Sequence, residues 1–432
     1  MVKNVGLIFI GEKNLEQGWP YKGFDTVGEA RILRDIIVSL SEKNNISLNY
    51  KTFGVLSSLD ELNKVKDEIH KMDGLIITYL TTGGVYDVFR EIAYFNKPSI
   101  IYAQPFSGHE WSIFSKLKKN TRTVMVASSN IMDLIDKIKL LEAVLSLKNL
   151  RILLIKDTKV SNEYLSKMRE KYGVDIVCLD HNVLSKYYDD TDTKEAERLA
   201  DTVISKSVKV VEPSREEIVK AARIYFALKH MLEDYNAKAL TMDCLSMIYH
   251  RAIPTTPCLA FSLLNDEGIP AACEADLNSL ITMIILKHIT GKPSFISDPV
   301  PDYSKGCLYH AHCTSATRLK GIGREQGKYY LRNHAESLSG VAVQTLWPVG
   351  EIVTSAKIET EENIMLLHTG KIVDNVYIDR GCRTKFAVKV ANVKKFVEEF
   401  RGRLHRIIVL GDYMEQLRDI ATLLGLEVIE EI

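Results

Sequence analysis

Two carboxylates and two histidines occupy positions where a metal-dependent acid–base site can form. Glu274 ends one short apolar run and Asp298 ends the next, and His310 and His312 follow in the segment YHAHC. Two carboxylates held close together repel each other unless a proton or a metal lies between them. Carboxylate and imidazole ligands together suit a divalent cation. These residues therefore predict a divalent metal site, with the histidines completing it.

A strand, a helix and a second strand carry the two carboxylates. The run Ile269–Cys273 has the length of a buried strand, and Asp276 is a favourable start for the helix that ends at Gly291. The next strand, Ser294–Ile296, follows at once. Because such a unit makes its two strands parallel and often adjacent, we expect Glu274 within about 5 Å of the second carboxylate. That edge of a sheet is where α/β proteins bind ligands.

A structural interpretation competes with this one. An acidic residue at the end of a strand often does no more than cap the following helix, and we interpret Asp276 in this way. Two carboxylates at equivalent strand ends, followed by HxH, favour the metal site. His230 and His288 lie in helical patterns and are expected in the core or on the surface.

Composition excludes several classes of function. The chain has 432 residues, enough for two to four domains, with 56 basic and 56 acidic side chains. This balance gives no overall basic field for nucleic acid, and no apolar stretch is long enough for a membrane span. The seven cysteines are odd in number and form no CxxC pair, which predicts a reduced, cytoplasmic protein.

The first 340 residues alternate strands with helices. This pattern predicts two doubly wound, Rossmann-like α/β domains, 1–149 and 150–340. The Gly83-Gly84 turn follows a strand, but no dinucleotide or P-loop motif is present, so we expect only a tight turn. In the second domain a strand ends at Asp243, and we expect one sheet to hold this residue, Glu274 and Asp298 at one edge.

The segment 341–432 has a different character. Its short strands, separated by glycine-containing turns, predict an antiparallel β-barrel or sandwich, and the end of the chain returns to α/β. His405 lies just before the strand Arg406–Leu410. A single histidine in such a position is usually structural.

Several motifs together resemble the L-fucose/L-arabinose isomerase family over most of the chain. The motif CEAD, with SDP following so that Asp298 lies 24 residues after Glu274, resembles the catalytic pair of fucose isomerases. The closing segment LHRIIVLGDYMEQLRDIATLLGLEVIE resembles the C-terminal segment of arabinose isomerases, whose metal-binding histidine matches His405. YHAHC falls where those enzymes place another histidine ligand, best matched by His312, and GEIVTSAKI resembles their barrel.

The resemblance implies two α/β domains before a C-terminal β-barrel, and a manganese ion, or another divalent metal, at the site. The ligands carried over are Glu274, Asp298, His405 and His312. His310 and His334 are not carried over. The resemblance also implies a homo-oligomer, a trimer or hexamer, whose partner is a small sugar. The composition predicts no nucleic-acid partner and no membrane partner.

The implied reaction is aldose–ketose isomerisation of a pentose or 6-deoxyhexose. A proton moves between C1 and C2 through a cis-enediol, which needs acid/base groups close to the sugar and charge stabilisation by a metal. Glu274 and Asp298 would hold the metal and move the protons. Two alternatives remain open: epimerisation with the same carboxylates, and a sugar-binding or sensing protein without turnover.

Overall fold

The computed structural model describes residues 2–82, 85–118 and 121–432. The predicted Gly83-Gly84 turn lies outside the described residues. The chain divides into two compact units, Met1–Lys148 with Glu415–Glu427, and Asn149–Met414 with Val428–Ile432. The division into three domains stays a prediction.

The first unit is built on a five-stranded parallel sheet. Its strands are β1 (Lys3–Ile10), β2 (Leu48–Leu56), β3 (Gly74–Tyr79), β4 (Ser99–Ala103) and β5 (Thr123–Ala127). They pair in the order β2-β1-β3-β4-β5. The helices are α1 (Thr26–Lys43), α2 (Leu59–His70), α3 (Tyr86–Ala93), α4 (Phe114–Leu117) and α5 (Ile131–Ser146), with a 3₁₀ turn over Glu110–Ile113. Because β3 and β4 are buried along their whole length, they consist of continuous apolar runs, as parallel strands do.

The second unit begins with a parallel sheet of four strands and the helices around it. The strands of this sheet are β6 (Arg151–Ile155), β7 (Asp175–Leu179), β9 (Ala239–Met242) and β10 (Ala271–Cys273). The sheet has the order β10-β9-β6-β7. The short strand β8 (Lys209–Val210) belongs to a separate small sheet. The helices are α6 (Asn162–Tyr172), α7 (His181–Asp190), α8 (Thr193–Lys206), α9 (Arg215–Asp234), α10 (Cys244–Tyr249), α11 (Cys258–Asp266) and α12 (Leu277–Thr290). The predicted parallel α/β organisation is confirmed.

The rest of the second unit is dominated by a large antiparallel sheet. The remaining strands are β11 (Phe295–Asp302), β12 (Cys307–His312), β13 (Tyr329–Arg332), β14 (Ala342–Thr345), β15 (Ile352–Glu359), β16 (Ile364–Asn375), β17 (Thr384–Lys389), β18 (Arg406–Leu410) and β19 (Glu427–Glu430), with helix α13 (Val393–Glu398) between β17 and β18. Helix α14 (Met414–Leu424) lies almost entirely in the segment Glu415–Glu427 of the first unit. The sheet has the order β15-β18-β11-β12-β17-β16-β19, and a small sheet has the order β14-β13-β8. An antiparallel C-terminal sheet is confirmed, and its closure into a barrel stays a prediction.

One expectation about the strands is wrong. Asp243 and Glu274 follow the neighbouring parallel strands β9 and β10, as expected. The strand of Asp298, β11, does not join that sheet and instead pairs antiparallel with β12 and β18. The physical reason is the connecting helix α12, which is buried from Leu277 to Leu286 and contacts β9 and β10 as well as β15 and β18. A helix that packs between two sheets separates its flanking strands.

Among the described residues, no helix combines the length and the apolar character needed to cross a membrane.

Candidate metal and acid–base site

The turn between β10 and α12 is strained at the first predicted site residue. Glu274 and the next residue, Ala275, both have positive φ, 61° and 53°. Neither is a glycine, and such a conformation costs roughly 1–3 kcal/mol per residue. Asp276 then caps α12, because its Oδ1 accepts from the backbone N–H of Ser279 at 2.9 Å. The cap predicted from the sequence is therefore present, and the strained turn puts Glu274 directly before it.

The structure brings three of the four predicted ligands together. Glu274, His312 and His405 each offer a ligand atom, and these atoms lie within 4.8 Å of one another. His312 Nε2 is 3.6 Å from Glu274 Oε1, and His405 Nε2 is 3.5 Å from Glu274 Oε2. The three residues lie after β10, at the end of β12 and just before β18, so distant segments converge here.

Asp298 lies beside this group. Its Oδ1 is 3.6 Å from His405 Nε2, the same nitrogen that Glu274 approaches. Although their strands belong to different sheets, the two carboxylates thus flank one imidazole. Their catalytic and metal-binding roles stay predictions.

The two histidines that were not carried over lie elsewhere. His310 Nδ1 is 2.9 Å from the hydroxyl of Ser297, and its ring contacts Phe386. His334 Nδ1 is 3.1 Å from the hydroxyl of Ser337. Neither belongs to the three-residue group.

The charges of the group shift the pKa values of its members. Burial alone would lower the pKa of His312, but the Glu274 carboxylate and the Asp298 charge raise it to about 9. Contact with His312, followed by the charge of His405, lowers the pKa of Glu274. Burial raises the pKa of Asp298. The pKa values of the two carboxyl groups are therefore shifted in opposite directions, that of Asp298 upward and that of Glu274 downward.

The residues present fit a divalent metal. The donors are one carboxylate and two imidazoles, a set that suits Mn²⁺ and neighbouring transition metals. His312 Nε2 is buried and has no hydrogen-bond partner among the residues that the structure describes. A buried polar atom without a partner is costly, so an ion bound by this nitrogen would satisfy it.

Metal binding at neutral pH should release a proton. A ligand imidazole must be neutral, and the pKa of His312 is raised to about 9 without metal. Below that pH the apparent affinity for Mn²⁺ should fall about tenfold per pH unit, because the metal competes with one proton. Titration calorimetry in two buffers of different ionisation enthalpy measures the release directly. An affinity that is constant between about pH 6 and pH 8 would contradict a protonated His312.

A further pair of residues behind His405 was missed by the sequence analysis. Asp276, interpreted only as a helix cap, also places Oδ2 3.0 Å from His405 Nδ1. Lys357 on β15 has a fully buried side chain and contacts the same carboxylate. The available signal was a lysine inside a strand pattern, between the apolar residues Ala356 and Ile358. A charged residue at such a position is rarely buried without a partner.

A cavity of about 360 Å³ opens next to Glu274. It lies where β6 and β10 end, at the edge of the parallel sheet that favours ligand binding. Its lining combines apolar, cationic, acidic and hydroxyl side chains: Leu154, Lys156, Val160, Ser161, Glu163, Tyr164, Lys167, Glu274, Ala275, Leu277, Glu361 and Arg403. This size and mixture suit a small polar ligand.

His405→Ala should weaken binding of Mn²⁺ by about tenfold or more without unfolding the protein, because one of three imidazole or carboxylate donors is lost. Titration of metal into the metal-free variant measures this change. His250→Ala, which removes an exposed histidine held by the carbonyl of Ser246, is the matched control. Equal affinities in the two variants would show that His405 is a structural residue.

In sequence, this chain is similar to sulfoquinovose isomerases from several bacteria. The chain is 20% identical to that of Priestia aryabhattai over 429 residues, covering 89% of this chain and 92% of the relative. The enzyme of Alkalicoccus urumqiensis is 22% identical over 218 residues, 49% of this chain and 48% of the relative. That of Clostridium sp. strain MSTE9 is 32% identical over 95 residues, 22% and 21% of the two chains. These relatives support the predicted isomerase enzyme. No protein-family model matches.

Solved structures give a much weaker likeness. A solute-binding protein of Burkholderia multivorans has a TM-score of 0.20 at 8% identity, over 59% of this chain and 85% of its own. GanP, a glucose–galactose-binding protein from Geobacillus stearothermophilus, has a TM-score of 0.18 at 13% identity, over 67% and 89%. Scores this low carry no argument about fold or function.

Proposed function

We propose that the protein is a metal-dependent aldose–ketose isomerase of the L-fucose/L-arabinose type, acting on a pentose or 6-deoxyhexose. The observation that carries the proposal is the convergence of Glu274, His312 and His405, with Asp298 beside them. The relatives, which are isomerases named for a sugar, support the reaction class over nearly the whole chain.

Glu274, His312 and His405 would hold Mn²⁺ or another divalent metal. When bound, the metal supplies Lewis-acid stabilisation of the negative charge that develops on the sugar oxygens. The side chains themselves move the proton. Glu274, whose pKa is lowered by His312, is ionised and takes a proton from the sugar carbon. Asp298, whose pKa is raised by burial, would give a proton to the carbonyl oxygen O1, which completes the enediol. Glu274 would then return its proton to C1 while Asp298 takes the proton of O2, so that the ketose forms and both carboxyl groups regain their starting states. Opposite shifts of two neighbouring carboxyl pKa values suit such opposite roles.

The cavity beside Glu274 would take the rest of the sugar. Tyr164 lines it, and its hydroxyl is buried without a hydrogen-bond partner among the described residues. A sugar hydroxyl would provide that partner. Tyr164→Phe should therefore raise KM about fivefold, by the loss of one hydrogen bond of about 1 kcal/mol, with kcat nearly unchanged. Steady-state kinetics test this, and an unchanged KM would place the sugar away from Tyr164.

A sulfonated sugar is the second candidate substrate. The relatives are named for sulfoquinovose, and three cationic side chains, Lys156, Lys167 and Arg403, line the cavity. Cations are the groups that would bind a sulfonate. Each of the three already has a carboxylate partner, respectively Asp243, Glu163 and Glu361, so a sulfonate would have to share these cations.

The same proposal extends to the C-terminal sheet and to assembly. Pairing of β15 with β16, in addition to the linear order of the sheet, gives each of six strands a neighbour on both sides, which supports a barrel. We also propose a trimer or hexamer in the cytoplasm, on the resemblance and the cysteine pattern alone.

A metal-supplemented screen tests the function. Pentoses, 6-deoxyhexoses and sulfoquinovose are each incubated with the metal-free protein and with the protein loaded with Mn²⁺. Conversion of one aldose to its ketose only in the loaded sample is expected. A sugar that binds without conversion would indicate a sensor, and a C2 epimer without ketose would indicate an epimerase.

A further inference from the structure

A buried carboxylate–lysine pair lies behind His405, at the ring nitrogen opposite the one near Glu274. Asp276 Oδ2 is 3.0 Å from His405 Nδ1, and Lys357 Nζ lies 2.5 Å from the same oxygen. Lys357 also donates to the hydroxyl of Ser279 at 2.7 Å. The side chains of Asp276 and Lys357 are 5% and 0% exposed. Since water hardly reaches this network, the protein side chains alone decide its hydrogen-bond directions.

An ionised carboxylate can only accept hydrogen bonds. With the Lys357 ammonium against it, Asp276 is such an acceptor, so a neutral His405 must carry its proton on Nδ1. Its Nε2 then has a free lone pair, directed toward Glu274 at 3.5 Å and Asp298 at 3.6 Å. We propose that Asp276 and Lys357 are positioning residues that fix His405 in the tautomer whose Nε2 can bind a divalent metal. This inference rests on the proposed function only in taking the ligand of Nε2 to be a divalent metal.

Helix capping alone does not explain the pair. The cap of α12 needs only Asp276 Oδ1, which accepts from the backbone of Ser279. The lysine contacts the other oxygen, Oδ2, the one that faces His405. Burial of an ammonium carries a desolvation cost, and a cap does not require it. Hydrogen bonds to the second ring nitrogen of a ligand histidine commonly set its tautomer and orientation.

The tautomer can be measured in the metal-free wild-type protein. Long-range ¹H–¹⁵N NMR spectra distinguish a protonated Nδ1 from a protonated Nε2, and spectra recorded over a series of pH values identify the neutral ring of His405. We expect His405 to show the Nδ1–H pattern. The Nε2–H pattern, or a mixture of both, would overturn the proposal whether or not any variant folds.

Asp276→Asn tests the same idea through metal affinity. If the amide oxygen keeps the cap to Ser279, its NH₂ group faces His405 and favours the wrong tautomer. Affinity for Mn²⁺ should fall about 10- to 100-fold, measured by calorimetry. Asp266→Asn is the matched control, because Asp266 is also buried and accepts from the backbone of Thr317 and Arg318. Equal affinities in the two variants would overturn the proposal.

Lys357→Met should lower the affinity in the same direction. Because the lysine acts through the aspartate, the double variant with Asp276→Asn should be no weaker than Asp276→Asn alone. Additive losses would overturn the assigned role of Lys357. A wild-type protein that binds no divalent metal would instead overturn the proposed function, while the NMR measurement still decides the tautomer.

Discussion

Glu274→Gln and Asp298→Asn are each expected to lower kcat by about 10²–10⁴-fold while the protein stays folded. Each amide has nearly the shape of the carboxyl group but can neither take nor give the proton. The two carboxylates lie 3.5 and 3.6 Å from the same His405 nitrogen. Because one is proposed to take a proton and the other to give one, the loss of either removes half of the proton transfer. Ketose formation at saturating Mn²⁺ measures the loss, and circular dichroism checks the fold.

Glu163→Gln is the control for this prediction. Glu163 lines the same cavity but lies on α6, outside the group of Glu274, His312 and His405. Its loss should leave kcat nearly unchanged. Near-normal turnover in either Glu274→Gln or Asp298→Asn would remove that residue from the acid–base pair.

Arg406→Met is expected to destabilise the protein by about 3–5 kcal/mol, because it leaves the buried Glu431 carboxylate without its guanidinium partner and with only the hydrogen bond to His368. Arg406 and Glu431 are 0% and 5% exposed at their side chains, with Nη2 and Oε1 2.5 Å apart. The guanidinium also donates to the carbonyls of Arg403 and His405. These hydrogen bonds hold the segment before β18 in place, and that segment carries the predicted ligand His405. Urea denaturation measures the change in the free energy of unfolding.

The double variant Arg406→Met/Glu431→Leu separates charge from packing. Removal of both charges should recover a substantial part of the stability, since a buried ion pair replaced by apolar groups is often tolerated. Arg215→Met is the surface control, because Arg215 and Asp201 form an ion pair with side chains 52% and 58% exposed. Solvent screens such a pair, and little change is expected. A loss in Arg406→Met as small as in this control would contradict the argument.

Glu274 could be predicted as a site residue from the sequence because its local pattern is strong. Glu274 ends a short apolar strand and precedes a capped, strongly apolar helix, and both features depend on neighbours in the chain. The segment before β18 placed His405 through the resemblance. Local pattern was therefore enough to nominate Glu274, whereas His405 needed the resemblance.

The neighbours of β11 could not be found in the same way. Its ladder with β18 joins Ile296 to Ile407, a pairing that no local pattern encodes. Strand propensity describes a residue that suits a pleated, half-buried surface, not which strand lies beside it. The sequence showed that α12 is an apolar helix, which is consistent with its burial from Leu277 to Leu286. It did not show that strands of two different sheets pack against this helix.

The support for His405 was missed for a related reason. Lys357 and Asp276 are 81 residues apart in the chain, and a lysine in a strand normally points to solvent. The positive φ angles of Glu274 and Ala275 also have no sequence signature, since glycine or asparagine usually takes this conformation. Such features result from the tertiary structure and oppose local preference, as functional sites often do.

The most direct measurement follows the proton on C2 of the aldose in D₂O by ¹H NMR. Aldoses from the pentose and 6-deoxyhexose series, and sulfoquinovose, are each incubated with the Mn²⁺-loaded wild type and with Glu274→Gln. With the wild type, the C2–H signal of one aldose should fall while signals of its ketose appear, and Glu274→Gln should abolish both changes. An aldose that binds yet keeps its C2–H signal and gives no ketose would contradict the isomerase, as would ketose formation undiminished in Glu274→Gln.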